Sequence, residues 1–463
     1  MKRPGPSTKR ATQRHSACKT SPQMRAPEET ELAKKRALTN AKSVVVDFMR
    51  VRSRTEELAA PLSAEDQLLQ SMPDASPTKW HRAHTTWFFE TFLLSPHGYP
   101  EVDARYAHLF NSYYESLGSR HARHRRGMIS RPSLTEVAEY RRIVDARVVE
   151  LLQHADEKIL AAVTPIVQLG LAHEEQHQEL ILTDILHAFS ENPLRPAYGK
   201  PVPFLARPSS KEPLKFIPIE GGVHEIGARG DEPFVFDNEQ PRHKEYVDAF
   251  EIADRLVTIR EMKAFIHDGG YRTASLWLSE GWKLVQQNNW EAPLYASLEG
   301  DTYSVFELNG TREARNDEPV MHLSFYEADA IANYLGGRLP TEAEWEIACT
   351  DASSESLDAA NFLDSANFKP CRATPGARGI RQMFGDAWEW TRSSYSPYPG
   401  YAASSGAIGE YNGKFMANQY VLRGGSYLTP KGHVRPSYRN FWPADTRFQA
   451  TGVRLARNLS HTE

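Results

Sequence analysis

A change of texture near residue 200 constrains the fold of this chain more than any other feature. From about 43 to 195, apolar residues recur at the three-to-four spacing of a helix, in stretches such as 80–94, 134–155 and 161–189. Beyond Pro213 the apolar runs shorten to strand length and are punctuated by Gly, Trp and Tyr, as in FIPIEGGVHEIG and QYVLRGGSY. The spacing predicts a helical bundle over 43–195 and a loop-rich α+β domain over 213–458. Between them, prolines at short intervals without any period predict a linker over 196–212. Residues 1–42 are rich in Lys, Arg, Ser, Thr and Pro and nearly lack aromatic anchors, which predicts a disordered basic tail.

Composition removes several function classes. A net charge of −4 supplies no basic field for nucleic acid or an anionic membrane. No apolar run approaches the ~20 residues that span a bilayer, and the N-terminus has no apolar leader. The three cysteines, Cys18, Cys349 and Cys371, are too few and too scattered for a disulfide framework or a cysteine zinc site. A reducing cytoplasm is the expected compartment.

The sharpest chemical signal is His173-Glu-Glu-Gln-His177-Gln-Glu179 within LGLAHEEQHQELILTDILHAF. Residues four apart share one face of a helix, so two imidazoles there can grip one metal. Glu179 lies well round the helix from His173 and is poorly placed as a third ligand. That ligand is expected from another helix, and KWHRAHTTW offers His81 and His84, which the pattern leaves tied. Three neutral imidazoles would leave a divalent first-row ion with open positions for substrates, whereas structural zinc is closed by four ligands, often with cysteine.

Several segments together resemble the ergothioneine sulfoxide synthases, from about residue 44 to 457. They are PLSAEDQLLQSMPDASPTKWHRAHTTWFFETFLL, LFNSYYESLGSRHARHRRGMISRPS, HEEQHQE, GGRLPTEAEWE, FGDAWEWT, LRGGSY and YRNFWPADTRFQATGVRLAR, in that order. The resemblance implies a DinB-like helical bundle followed by a formylglycine-generating-enzyme-like domain of C-type-lectin-like fold, with iron(II) between them. It implies His84, His173 and His177 as the metal ligands, which decides against His81. It also implies the activity: joining a thiol sulfur to C2 of the imidazole of hercynine (Nα-trimethylhistidine), using O2.

The same resemblance assigns the substrate groups. Gln176 is expected at the imidazole or carboxylate of hercynine, and Asn440, Phe441 and Trp442 at its betaine end. Aromatic faces suit a quaternary ammonium, which has no hydrogen to donate, by about 0.5–2 kcal/mol per ring. Arg123 and Arg126 are expected to clamp the thiol substrate's carboxylate. The proton donor is expected at Tyr113 and Tyr114, the alternative being Tyr395 or Tyr398.

The chain departs from members that take γ-glutamylcysteine, which hold the glutamyl end with an Asp and an Arg after the Asn-aromatic pair. Trp442 stands where that Asp would be and Arg447 is displaced by one residue, so free cysteine is the expected thiol. Copper-dependent oxidation of a protein cysteine, the chemistry of formylglycine-generating enzymes, needs a cysteine pair near RGGSY, and this region has none. Selenoneine synthases share the fold and iron ligands but take a selenosugar; the paired arginines favour a carboxylate-bearing donor. A non-catalytic lectin-like binding protein is the contrasting class, and the metal ligands argue against it.

Overall fold

The computed structural model describes residues 26–200, 210–351, 357–376, 379–403, 409 and 412–459. Residues 1–25 of the expected tail and 201–209 of the expected linker lie outside the described residues. Helix α1, Ala26–Ala59, begins inside the stretch read as tail. The sequence there, ELAKKRALTNAKSVV, is built from strong helix formers, and its scarcity of aromatics disguised that.

The first half forms the expected bundle. After α1 come α2 (Thr78–Phe89), α3 (Tyr106–Phe110), α4 (Leu134–His154) and α5 (Glu157–Glu191). Helix α4 starts at a capping box, Ser133 with Glu136, and α5 at Asp156, whose carboxylate accepts from the Ile159 N–H at 2.7 Å. Every residue of α2 is buried, because α1, α4 and α5 surround it. Gly170 permits the close approach of α5: a Cβ there would lie 2.6 Å from Phe89 Cε1 and 2.8 Å from Phe88 Cε1. One turn later α5 carries His173, so this glycine brings the ligand helix within reach of α2.

The second half is α+β, as the short punctuated runs predict. Its first strands are β1 (Phe216–Ile219), β2 (Gly222–Ile226), β3 (His243–Val247) and β4 (Phe250–Ala253). Three more, β5 (Ala296–Glu299), β6 (Thr302–Glu307) and β7 (Gly310–Glu313), form an antiparallel meander. The functional sheet has the order β10-β9-β8-β11, from β8 (Trp388–Ser394), β9 (Tyr420–Arg423), β10 (Asn440–Trp442) and β11 (Thr451–Gly452). The last strand, β12 (Ala456–Asn458), pairs with β4. Antiparallel pairing of Asn440 with Leu422 and Trp442 with Tyr420 sets the side chains of β10 at the sheet edge.

Strand β9 ends in Gly424 and Gly425, with φ of +95° and +80°. Side chains are strained in this left-handed region, and a Cβ on Gly424 would also meet the Met383 carbonyl at 2.6 Å. The two glycines turn the chain so that Ser426 and Thr429 face α5.

Candidate metal and substrate site

Helix α5 buries three polar faces, each satisfied by a different neighbour. At about 100° per residue, His173, His177 and Asp184 share one stripe, Glu174 and Gln178 a second, and Glu175, Glu179 and Thr183 a third. On the second stripe Glu174 accepts from Arg52 Nη1 at 2.7 Å, Arg141 Nη2 at 2.9 Å and Thr55 Oγ1 at 2.6 Å. Gln178 donates to the Val51 carbonyl. On the third, Glu179 accepts from Trp388 Nε1 (2.8 Å), Ser426 Oγ (2.7 Å) and Thr429 Oγ1 (2.8 Å), all from the second domain. Glu175 meets His433 Nδ1 at 3.1 Å. These contacts lock the helix in rotation, so its first stripe is aimed by both halves of the chain.

On that stripe the imidazoles converge. One ligand atom from each of His84, His173 and His177 lies within 4.8 Å of the others. Among the described residues this is the one cluster of His, Cys, Asp or Glu close enough to share an ion. Nε2 of His84 is 3.2 Å from Nε2 of His173. The far nitrogen of His84, Nδ1, reaches the Phe110 carbonyl at 2.5 Å, and that of His177 reaches His81 Nδ1 at 2.7 Å. The His84 ring stacks on Trp80, with centroids 4.5 Å apart and planes 13° apart.

Burial pulls all three rings well below the usual imidazole range, His173 to about 3. Desolvation opposes the charged form, and the like rings add to it at His84 and His177. The neutral form is the one that ligates, so the donor set fits a divalent metal without deprotonation of a ligand.

A cavity of about 330 Å³ opens from this cluster between the two domains. His173, His177, Gln176, Tyr113, Arg123, Arg126, Asn440, Phe441 and Trp442 line it. Of the residues expected from sequence these nine line the cavity, while His84, buried within the imidazole cluster, and Tyr114 do not. Tyr114 is fully buried against Trp87 and Phe92 and does not line the cavity, whereas its neighbour Tyr113 does. The alternative pair lies behind the wall: Tyr395 stacks beneath Phe441 at 4.0 Å and accepts from Asn238, and Tyr398 is held between Arg423 and Arg439.

Arg126 is buried, donates to Ser76 Oγ (2.9 Å) and Ser112 Oγ (3.1 Å), and lies 3.4 Å over the Trp80 ring. Among the described residues no carboxylate comes within ion-pair distance of it. Burial, with Arg123 and Arg120 nearby, pulls the guanidinium down to about 8. A guanidinium keeps its proton, so Arg126 is a buried cation whose partners are the Ser76 and Ser112 hydroxyls and the Trp80 face. Arg123 is half-exposed and engages the Asp74 carbonyl at 2.5 Å.

Two groups at the site escaped the sequence reading, and a third, His81, was considered there only as a possible metal ligand. His81 is a buried neighbour of His177, linked in turn to Asp184. Tyr438 accepts from Gln176 Nε2 at 2.8 Å and contacts His433 Nε2 at 3.0 Å. Phe415 lies edge-on to Tyr113 (5.3 Å) and nearly parallel to Phe441 (5.9 Å). Asp184, two helical turns beyond His177, falls on the same stripe of α5, a spacing visible in the sequence that by itself assigns it no role. Neither described cysteine, Cys349 or Cys371, lines the cavity.

Comparison with known proteins agrees with both halves. Residues 47–181 match the DinB superfamily, and residues 205–459 match the sulfatase-modifying factor enzyme 1-like domain. Hercynine oxygenase of Mycolicibacterium smegmatis is 32% identical over 409 residues, covering 84% of this chain and 92% of that protein. Hercynine oxygenase of Mycobacterium tuberculosis is 31% identical over 442 residues, covering 91% and 100%. The formylglycine-generating enzyme of Bos taurus is 29% identical over 291 residues, 55% of this chain and 74% of its own. Similarity to the first two covers most of the chain and so spans both domains, and the chain therefore belongs to the hercynine oxygenase family.

Proposed function

We propose that this protein is an iron(II)-dependent sulfoxide synthase that joins the sulfur of cysteine to C2 of the hercynine imidazole in ergothioneine biosynthesis. The observation that carries the reading is the cavity wall. His173 and His177 of the three-imidazole cluster, a buried arginine with no carboxylate partner among the described residues, and an Asn-Phe-Trp edge face one space of about 330 Å³. The reaction balances as thiol, imidazole C–H and O2 giving the sulfoxide and water.

His84, His173 and His177 would hold the iron, which when bound supplies electrons to dioxygen and favours the thiolate form of the donor. The chain's own groups do the rest. Arg126, aided by Arg123, holds the donor's carboxylate. Phe441 and Trp442 receive the trimethylammonium group, and Asn440 and Gln176 orient the carboxylate and ring of hercynine. Gln176 is itself steadied by Tyr438. Fixing both reactants in one small space replaces a bimolecular encounter by a positioned one. Tyr113 Oη delivers a proton to the oxygen atom that leaves as water.

Free cysteine is the preferred donor in this reading. Arg447, which would have to meet a glutamyl carboxylate, is instead ion-paired to Glu327 (2.8 Å) and lies over Trp290 at 4.1 Å.

The deciding assay supplies iron(II) anaerobically, then hercynine, air and each donor in turn, with product read by mass. Hercynylcysteine sulfoxide from cysteine supports the reading, with a smaller kcat/KM for γ-glutamylcysteine. Product only from a selenosugar, or none from any donor, overturns it.

Two substitutions separate the roles. Tyr113→Phe is expected to divert turnover toward oxidation of the thiol alone, with the sulfoxide share falling on the order of 10²-fold, as for loss of a general acid. Tyr114→Phe should leave the product ratio unchanged; equal ratios for the two variants would reject Tyr113. Arg126→Gln is expected to raise the KM for cysteine by about 10- to 100-fold, since hydrogen bonds to a charged group contribute about 1.5–3 kcal/mol. The KM for hercynine should stay near the wild-type value, which a general loosening of the site would not allow.

A further inference from the structure

We propose that Asp184, acting through His81, sets which ring nitrogen of His177 is offered to the metal. The inference rests on the reading that His84, His173 and His177 hold the ion.

The chain of contacts has a direction. Asp184 Oδ2 meets the Ser76 N–H at 2.7 Å and His81 Nε2 at 3.0 Å. A carboxylate only accepts, so the His81 proton sits on Nε2. The other nitrogen of that ring, Nδ1, is then a bare acceptor, and it lies 2.7 Å from His177 Nδ1. That contact is a hydrogen bond only when His177 Nδ1–H donates. His177 is left with its lone pair on Nε2. His84 reaches the same tautomer by a shorter route, through the Phe110 carbonyl. Ser76, Asp184, His81 and His177 are all buried at the wall of the cavity, which limits the water that can compete for these bonds.

Without Asp184 nothing holds the proton on His81 Nε2. His81 becomes free to protonate Nδ1 and donate to His177, whose own proton then occupies Nε2 and blocks ligation. This explains why α2 carries two histidines three residues apart. His84 ligates, and His81 steers the third ligand. Asp184 is thus a positioning residue, and Ser76 ties it to Arg126 as well, since the Ser76 hydroxyl accepts from Arg126 Nη1.

The test titrates the metal-free full-length protein anaerobically with cobalt(II), following its d–d absorption, in the wild type, Asp184→Ala, Asp184→Asn, His81→Phe, the Asp184→Ala/His81→Phe double variant and His173→Ala. Asp184→Ala and His81→Phe are each expected to weaken binding by about 10- to 100-fold, the usual effect of losing a partner that orients a metal-ligating histidine. Asp184→Asn should recover most of the affinity, because one amide oxygen, pinned by the Ser76 N–H, still accepts from His81. The double variant should bind no more weakly than the worse single one, because both changes break one chain.

Binding by Asp184→Ala and His81→Phe within twofold of wild type, while His173→Ala loses the metal, overturns this proposal alone. Additive losses in the double variant also overturn it. Equal cobalt uptake by wild type and His173→Ala overturns the metal reading, and this proposal falls with it. Should Asp184→Ala fail to fold, His81→Phe and Asp184→Asn carry the same comparison.

Discussion

Replacing His173 by alanine is expected to strip the protein of its metal and to lower turnover by on the order of 10³-fold. Metal sites with four ligands bind with about 10–16 kcal/mol, so one ligand accounts for ~3–4 kcal/mol, or 10²- to 10³-fold in affinity. Among the described residues the cluster contains only the three imidazoles, and the nearby His81 is engaged with His177 and Asp184. The measurement is iron content after anaerobic reconstitution, alongside product mass. His84→Ala and His177→Ala should behave alike, whereas His81→Phe should still fill at saturating metal. Unchanged iron content and turnover in the three ligand variants would remove the assignment.

Glu174→Ala is expected to cost the bundle about 3–5 kcal/mol, the usual result of stripping one partner from a buried ion pair. Glu174 is wholly buried and joins two buried arginines. Burial alone would raise its carboxyl, but Arg52 and Arg141 outweigh that and hold it at about 2. Asp145 remains for Arg52 and Glu56 for Arg141, yet the charge between them is lost. Thermal unfolding of the bundle should shift down on the order of 10 °C. Glu174→Gln, which keeps the shape and the acceptor, should fall between. A midpoint for Glu174→Ala within 1–2 °C of wild type would show that the two arginines do not depend on this carboxylate.

The division into two domains was legible because periodicity differs between helix and strand, and the His173–His177 pair because four residues make one turn. The choice between His81 and His84 was not legible in the local pattern and came only from the family resemblance. Both lie on α2 and both reach α5, His81 at His177 and Asp184 and His84 at His173, and which of them joins the three-imidazole cluster depends on how the two helices are set against each other, which Gly170 and the Arg52–Glu174–Arg141 cluster help to fix. Which of Tyr113 and Tyr114 lines the cavity was hidden for a related reason. An irregular segment has no period to say which of two neighbouring rings is inside, and only the packing of Trp87 and Phe92 around Tyr114 reveals it. Asp184 was overlooked because a lone aspartate late in an apolar helix looks like nothing in particular until its distance to His81 is known. Phe415 and Tyr438 lie more than 200 residues from the histidine pair, beyond the reach of any local pattern.

The grip of Trp388, Ser426 and Thr429 on Glu179 sets a rule for anyone recombining such proteins. An excised bundle would expose that glutamate to water and lose the wall that carries Asn440, Phe441 and Trp442. The halves are therefore not interchangeable modules, and a chimera has to transplant the glutamate and its three donors as a set.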